Sequence, residues 1–208
     1  MSDDAIPRLL VPAYFHPEAD PASWAVLRAA APRLTAVVIN PASGPGPAPD
    51  PAYATVRAGL SATRVLGYVD TDYGRRPHAE VVAEIARHRE WYAVDGVFLD
   101  QTPDGSAALA HYARLTVAAR SLGAAYVALN PGLPPDPAYL DVADLVVTFE
   151  GPWSAYAARP ADAGTHLVHA APPHAAVHGY ATPGTLPNPW AVLGPLDAVA
   201  DAPDRTAG

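Results

Sequence analysis

The sequence predicts an α/β fold, a (β/α)8 TIM barrel with short or missing outer helices in its second half. Three observations predict it. Eight short apolar runs, rich in β-branched and aromatic residues, recur along 208 residues. Segments of helical period separate several of them. Polar side chains gather at the C-terminal ends of seven of the runs. Alternation of strand, helix and strand implies parallel strands joined by right-handed crossovers. A doubly wound sheet is the competing arrangement, but it requires no eighth strand.

The runs are, in order, RLLVPAYFH, LTAVVIN, RVLGYVD, DGVFLDQ, AAYVALN, DLVVTFE, THLVHA and the weaker HGYAT. Between the early runs lie PASWAVLRAAAP, DPAYATVRAGLSAT, HAEVVAEIARHREWYA and SAALAHYARLTVAARSLG. The last two place apolar residues at i, i+3 and i+4, the spacing of an amphipathic helix. Trp24 and Trp91 fall in such helical segments and are assigned to packing. NPASGPGPAPDP reads as a loop after the second run. After Asn130 the connections are proline-rich, and APPHAAVHG holds one helical turn at most. A full barrel is typically ~250 residues, so the later outer helices must be short or missing. The tail DAPDRTAG reads as frayed. No linker or repeat divides the chain, so one domain over residues 1–208 is expected, with its core at about 8–196.

Strand side chains alternate faces, so residues of one parity share a side. Asp100 shares its parity with Gly96 and Phe98, while Val97 and Leu99 face the other way. Tyr14 pairs with His16, Tyr68 with Asp70, and Thr148 with Glu150. Asn40, Asn130 and His169 each close a run. In a barrel these ends form one rim, where barrel active sites sit. One polar strand end means only that loops are wet; seven together, with Asp, Glu, His, Asn and Tyr, read as a site. Asp100 and Glu150, on the fourth and sixth runs, are the candidate catalytic residues. Paired carboxylates suit glycoside hydrolysis, where one protonates the leaving oxygen and the other acts as base or nucleophile. Asp70 is a third candidate acid. Asn40, Asn130 and Tyr68 are suited to hydrogen-bonding sugar hydroxyls, and Tyr73, Trp153 and Trp190 to stacking on sugar faces. Tyr14, His16, Gln101 and His169 complete the candidate substrate-binding set.

Composition removes other classes of chemistry. The chain has no Cys, so no thiolate metal site or Cys nucleophile exists. It has no Lys either: all 13 basic residues are Arg, which excludes Schiff-base chemistry on a lysine. Net charge is −8. That is either simple solubility or an acidic cleft for a neutral or cationic substrate, and it lacks the basic footprint of a nucleic-acid binder. No apolar run approaches the ~20 residues of a membrane span. MSDDAIPRLL has no basic start and no long apolar stretch, so the expectation is no signal peptide and a cytoplasmic protein. SGPGPAP is glycine-rich, but its prolines lack N–H donors and no lysine follows, so it is no phosphate cradle. His166, His169, His174 and His178 invite a zinc reading. His166 and His169 point to opposite faces of a strand, however, and the segment holding His174 and His178 is too short for a firm helix. No metal, cofactor, nucleic-acid or membrane partner is expected. A carbohydrate is.

VPAYFHP, VVINPASGPG, YATVRAGL, VLGYVDTDYGRRP, VDGVFLDQTP, LNPG, YLDVADLVVTFEGPWSAY, HLVHA and LPNPW occur in an order that resembles the spherulin-4-like proteins, spherulation-specific family 4. The likeness runs from about Leu10 to Trp190. It implies a (β/α)8 barrel and kinship with glycoside hydrolases that cleave galactosamine-containing polysaccharides, including fungal galactosaminogalactan hydrolases. In that family the fourth strand looks like DGIFFDE and the sixth ends in FE. The implied Asp falls on Asp100 and the implied later Glu on Glu150. The Glu of the DE pair falls on Gln101, an amide that neither ionises nor donates a proton at neutral pH. Two principal expectations follow. One is hydrolysis of an amino-sugar glycan by Asp100 and Glu150, with Gln101 orienting substrate. The other is a carbohydrate-binding barrel that has lost catalysis. A barrel enzyme acting on a small sugar-like metabolite is the third.

Overall fold

The computed structural model describes residues 9–159 and 164–196. The first eight residues and the tail DAPDRTAG lie outside the described residues. Eight strands are present: β1 Leu9–Ala13, β2 Leu34–Ile39, β3 Arg64–Asp70, β4 Gly96–Asp100, β5 Tyr126–Asn130, β6 Leu145–Pro152, β7 Thr165–His169 and β8 Gly179–Ala181. They pair in sequence order and every pair is parallel. The sheet curls into a nearly closed barrel. Its last and first strands lie side by side, and the Tyr14 backbone N–H donates to the Trp190 carbonyl at 3.1 Å.

The outer layer thins along the chain. Helix α1 (Pro21–Ala30) is capped by Asp20, whose carboxylate accepts from the Ser23 N–H at 3.0 Å. The expected helix after β2 is two four-residue pieces, α2 (Pro51–Ala54) and α3 (Val56–Gly59), separated at Thr55. The long helices are α4 (His78–Tyr92) and α5 (Leu109–Ser121), the two with clear periodicity. They cover β3, β4 and β5. Val81 and Ile85 of α4 and Tyr112 and Leu115 of α5 pack against Val69, Val97, Leu99, Val127 and Leu129. After β5 there is a 3-10 turn at Pro137–Asp141, after β6 the four-residue α6 (Trp153–Tyr156), and after β7 no helix. The shortened second half matches the proline-rich connections.

The two faces of each strand are now assigned. Val97 and Leu99 face the helices, while Phe98 and Tyr68 fill the barrel interior with Leu10, Val38, Leu66 and Tyr180. Asp70, Asp100 and Asn130 are register partners on neighbouring strands, so all three share one face at the rim. Strand β6 departs from simple alternation. Its register with β7 shifts between Val147 and Phe149. Val147 lies in the interior cluster, whereas Phe149 packs outside with Val168 and Val177. One extra residue, Thr148, therefore turns the rest of the strand over, and Glu150 pairs with the inward-facing Leu167.

One close approach supports the site from behind. His88 of α4 reaches under β3, and its Nε2–H donates to the Tyr68 carbonyl at 2.8 Å. Burial pushes its imidazole down to about 4, so it stays neutral. The ring fits only because residue 67 is glycine: a Cβ there would lie 2.4 Å from the ring. Gly67→Ala is expected to cost about 1–3 kcal/mol through overpacking. Urea unfolding will read this as a lower midpoint, and His88→Ala in the same chain will relieve most of the strain.

Candidate active site

The site is a single line of hydrogen bonds across the C-terminal rim. Tyr68 donates its hydroxyl to Asp100 Oδ2 at 2.9 Å. Asp100 Oδ1 accepts from Asn130 Nδ2 at 2.7 Å. The same nitrogen donates to Glu150 Oε2, and Glu150 Oε1 accepts from the Trp190 indole N–H at 3.2 Å. The side chains come from β3, β4, β5 and β6 and from the 3-10 turn Pro189–Ala191 that follows β8. Every donor on this line is neutral. The orientation of the Asn130 amide follows from its neighbours, since turning it over would set a carbonyl oxygen against the charged Asp100 carboxylate.

Two buried carboxylates without a cation cannot both ionise easily. Burial, then the charge of Asp100, pushes the Glu150 carboxyl up to about 7. The Asp100 carboxyl is raised too, chiefly by burial. Tyr68, the Gln101 N–H and Asn130 all work against that rise. Asp100 is therefore the member that holds the charge and Glu150 the member that keeps the proton up to near neutrality. Its two partners among the described residues, the Trp190 indole N–H and the Asn130 NH2, are donors only, so neither takes up that proton. It is free for a ligand.

Two cavities meet at this line and share Asp100, Asn130, Glu150 and His169. The first, about 210 Å³, is walled by Tyr14, Phe98, Leu167 and the segment from Leu186 to Trp190. The second, about 390 Å³, opens between Tyr73, Gln101, Leu133 and Gly151. Tyr14 lies partly buried at the floor, where burial and the Asp100 charge hold its phenol well above the usual range. His169 is held below its ordinary value by burial and enters as neutral imidazole. Non-glycine residues adopt left-handed backbone angles just past three site strands: Asp72 and Tyr73 after β3, Gln101 after β4 and Ala170 after β7. Such strain persists where surrounding bonds hold it. At Gln101 these come from the Tyr73 N–H at 2.8 Å and the Thr71 hydroxyl at 3.1 Å, both onto its carbonyl.

Several residues expected at the rim stand apart. His16 lies beyond the end of β1, pairs with Asp50 at 3.0 Å and packs against Tyr53. Asn40 lies beyond the end of β2 and accepts from the Gly44 N–H at 2.8 Å, folding its own loop. Asp70 accepts from the Asp72 N–H at 2.6 Å and caps the turn after β3. Trp153 packs beside Tyr156 on the outside of β6. None of these four lines either cavity. Trp190 does, but it lies 5 % exposed with its N–H on Glu150, so it acts as a clamp rather than an open stacking face. The sequence marked Asn130 and Trp190 as candidate sugar contacts and LNPG and LPNPW as family-like motifs, but it did not show that Asn130 bridges the two carboxylates or that Trp190 donates to Glu150. A separate cavity of about 110 Å³, lined by alanines, prolines and Thr182 near Pro195, contains no titratable side chain.

The fold and rim together define a parallel eight-stranded (β/α)8 barrel with a paired-carboxylate site at its C-terminal mouth. The model of the family described as spherulation-specific family 4 (Spherulin4) matches residues 8–188, and the chain belongs to that family. Spherulin-4 of Physarum polycephalum is 35% identical over 150 residues, 69% of this chain and 44% of that protein. The chain thus aligns with less than half the length of that relative. Among solved structures, the crystal structure of Aspergillus clavatus Sph3 in complex with GalNAc matches with a TM-score of 0.77 and 28% identity. The match covers 90% of this chain and 92% of that one.

The proton assignment is directly measurable. Carbon-13 NMR of glutamate-labelled protein is expected to find one carboxyl titrating near 7. Asp100→Asn removes a neighbouring charge and will lower that value. Trp190→Phe removes a donor to the ionised form and will raise it, each by about one unit. Shifts of the same sign in both variants would contradict the assignment.

Proposed function

We propose that the protein is a glycoside hydrolase acting on amino-sugar polysaccharide or oligosaccharide, with Glu150 as general acid and base and Asp100 as its ionised partner. The observation that carries this reading is the line Tyr68–Asp100–Asn130–Glu150–Trp190, which separates one proton from one charge at the mouth of a barrel. The likeness to Sph3, whose structure holds GalNAc, supports the sugar class.

The chemistry follows from the positions. Glu150 gives its proton to the glycosidic oxygen as the bond to the anomeric carbon breaks. The closest oxygens of Asp100 and Glu150 each lie one hydrogen bond from the same nitrogen, so they are at most about 6 Å apart. That favours the ~5–5.5 Å spacing of retaining enzymes over the ~6.5–9.5 Å of inverting ones. Asp100 then either bonds to the anomeric carbon or polarises an acetamido group that does so. In the second half, Glu150 takes a proton from water, which displaces the intermediate and returns the sugar with a free hydroxyl. Tyr68 and Asn130 hold the Asp100 charge through both steps.

Release of reducing ends from a galactosamine-rich glycan tests this. Glu150→Gln and Asp100→Asn are each expected to lower the rate by at least about 100-fold. Activity should fall as pH rises through about 7, where Glu150 loses its proton, and fall again at acidic pH as Asp100 gains one. The acidic limb should lie above an ordinary aspartate's value, because burial raises it. A rate unchanged by Asp100→Asn would overturn the reading. The second reading, a carbohydrate-binding barrel without turnover, is favoured by the amide at Gln101. Glycan binding by native protein with no release of reducing ends, and release gained in Gln101→Glu, would select it.

A further inference from the structure

Behind the site, on the outer face of β3, lies a titratable side chain that the chemistry does not use. His88 is 1% exposed. Its Nε2–H donates to the Tyr68 carbonyl, and its Nδ1 is buried without a hydrogen-bond partner among the described residues. An imidazolium carries an N–H at both nitrogens and needs two acceptors. This slot supplies one. β3 presents only its backbone at Gly67, against which the ring is wedged. On the same helix, the Tyr92 ring lies 5.9 Å away and gives its hydroxyl to the Pro45 carbonyl. Tyr53 of α2 packs on Tyr92, and its phenol is pushed up to about 12, so it too is neutral. Helix α5 meets α4 at Val81 and Ile85, and its Tyr112 hydroxyl is bonded to Thr71. The charged side chains of α4 on either side are engaged elsewhere: Glu84 with Arg76, and Arg89 with the Leu122 and Val94 carbonyls, while Arg87 is exposed. Burial opposes a charge on the imidazole, and only the Tyr68 carbonyl works the other way.

We propose that His88 is an acid-sensitive latch: the slot beneath Gly67 cannot house a second proton on the ring, so mild acid draws the ring out and strips β3 of its support directly behind Tyr68. The latch operates whether or not a glycan binds. Its direction follows from the neutral ring of the folded state. Burial holds the imidazole down at about 4, against about 6.5 for an exposed histidine. Its contribution to stability is therefore fully present above about 6.5 and is lost as pH falls toward 4. Glu150, at the barrel mouth, runs the other way. Its carboxyl is raised to about 7, so its contribution is present below the ordinary glutamate value and is lost as pH rises through 7. Acidification thus favours the protonated acid while it loosens the strand that carries Tyr68, the donor to Asp100.

Urea unfolding of native protein and of His88→Gln, at about pH 7.5 and about pH 5, tests it. Glutamine keeps a donor for the Tyr68 carbonyl and never titrates. Glu150, His111 and His169 also have shifted values, but they are present in both proteins and cancel in the comparison. Relative to the variant, the unfolding constant of native protein should rise about 30-fold between the two conditions. The lower pH lies about 1.5 below the ordinary histidine value, so it protonates residue 88 of the unfolded chain but not the buried ring. Nitrogen-15 NMR of native protein needs no variant. At about pH 5 the His88 ring, identified by its contact with Tyr92, should remain neutral with its proton on Nε2. A native-to-variant ratio that changes by less than about threefold, or a His88 ring that titrates above about pH 6 in the folded protein, overturns the proposal. If His88→Gln does not fold, the NMR result decides alone.

Discussion

Two carboxylates share one amide nitrogen in a place from which cations are absent. An arginine here would hold both groups ionised and leave no proton to give. Neutral donors alone leave the pair carrying close to one charge, with Asp100 as its seat. Burying that charge disfavours the folded state unless good geometry surrounds it. The surrounding structure supplies the geometry. Five elements each contribute one side chain to the line, and His88, wedged against Gly67, braces the strand that carries Tyr68.

The sequence made the inward face of β4 legible because that strand is regular: alternation carries Phe98 and Asp100 to one side and Leu99 to the other. It made Glu150 a candidate for a different reason than the one the structure uses. Parity pairs Thr148 with Glu150, yet the interior residue of β6 is Val147. The shift between Val147 and Phe149 brings Glu150 inward. Nothing in LVVTFEG announces a bulge, since either alternation buries good apolar residues. The long helices α4 and α5 were equally legible from their period, while the split at Thr55 was not.

Residues past the strand ends were the hardest to place. His16 lies three residues past β1, and Asn40 directly follows β2. His16 turns to Asp50, which caps α2, and Asn40 accepts from Gly44 in its own loop. Trp153 and Trp190 both looked like open aromatic faces. Their positions diverge because α6 folds Trp153 back on the outside of β6, whereas the strap after β8 crosses the mouth and brings Trp190 onto Glu150. Their sequence contexts, GPW and NPW, are too alike to separate these outcomes.

Trp190 has two attachments. Its carbonyl receives the Tyr14 N–H from the opposite end of the described chain, and its indole holds the acid. Ring closure and completion of the acid's environment are thus one event. During synthesis on the ribosome, Asp100, Asn130 and Glu150 all emerge before Trp190 does. A nascent barrel that has not yet docked its last segment carries the carboxylates with the acid only half held. Because this contact spans nearly the whole chain, it is among the costliest in loop entropy to form. The order of assembly therefore withholds the finished site until the fold itself is whole.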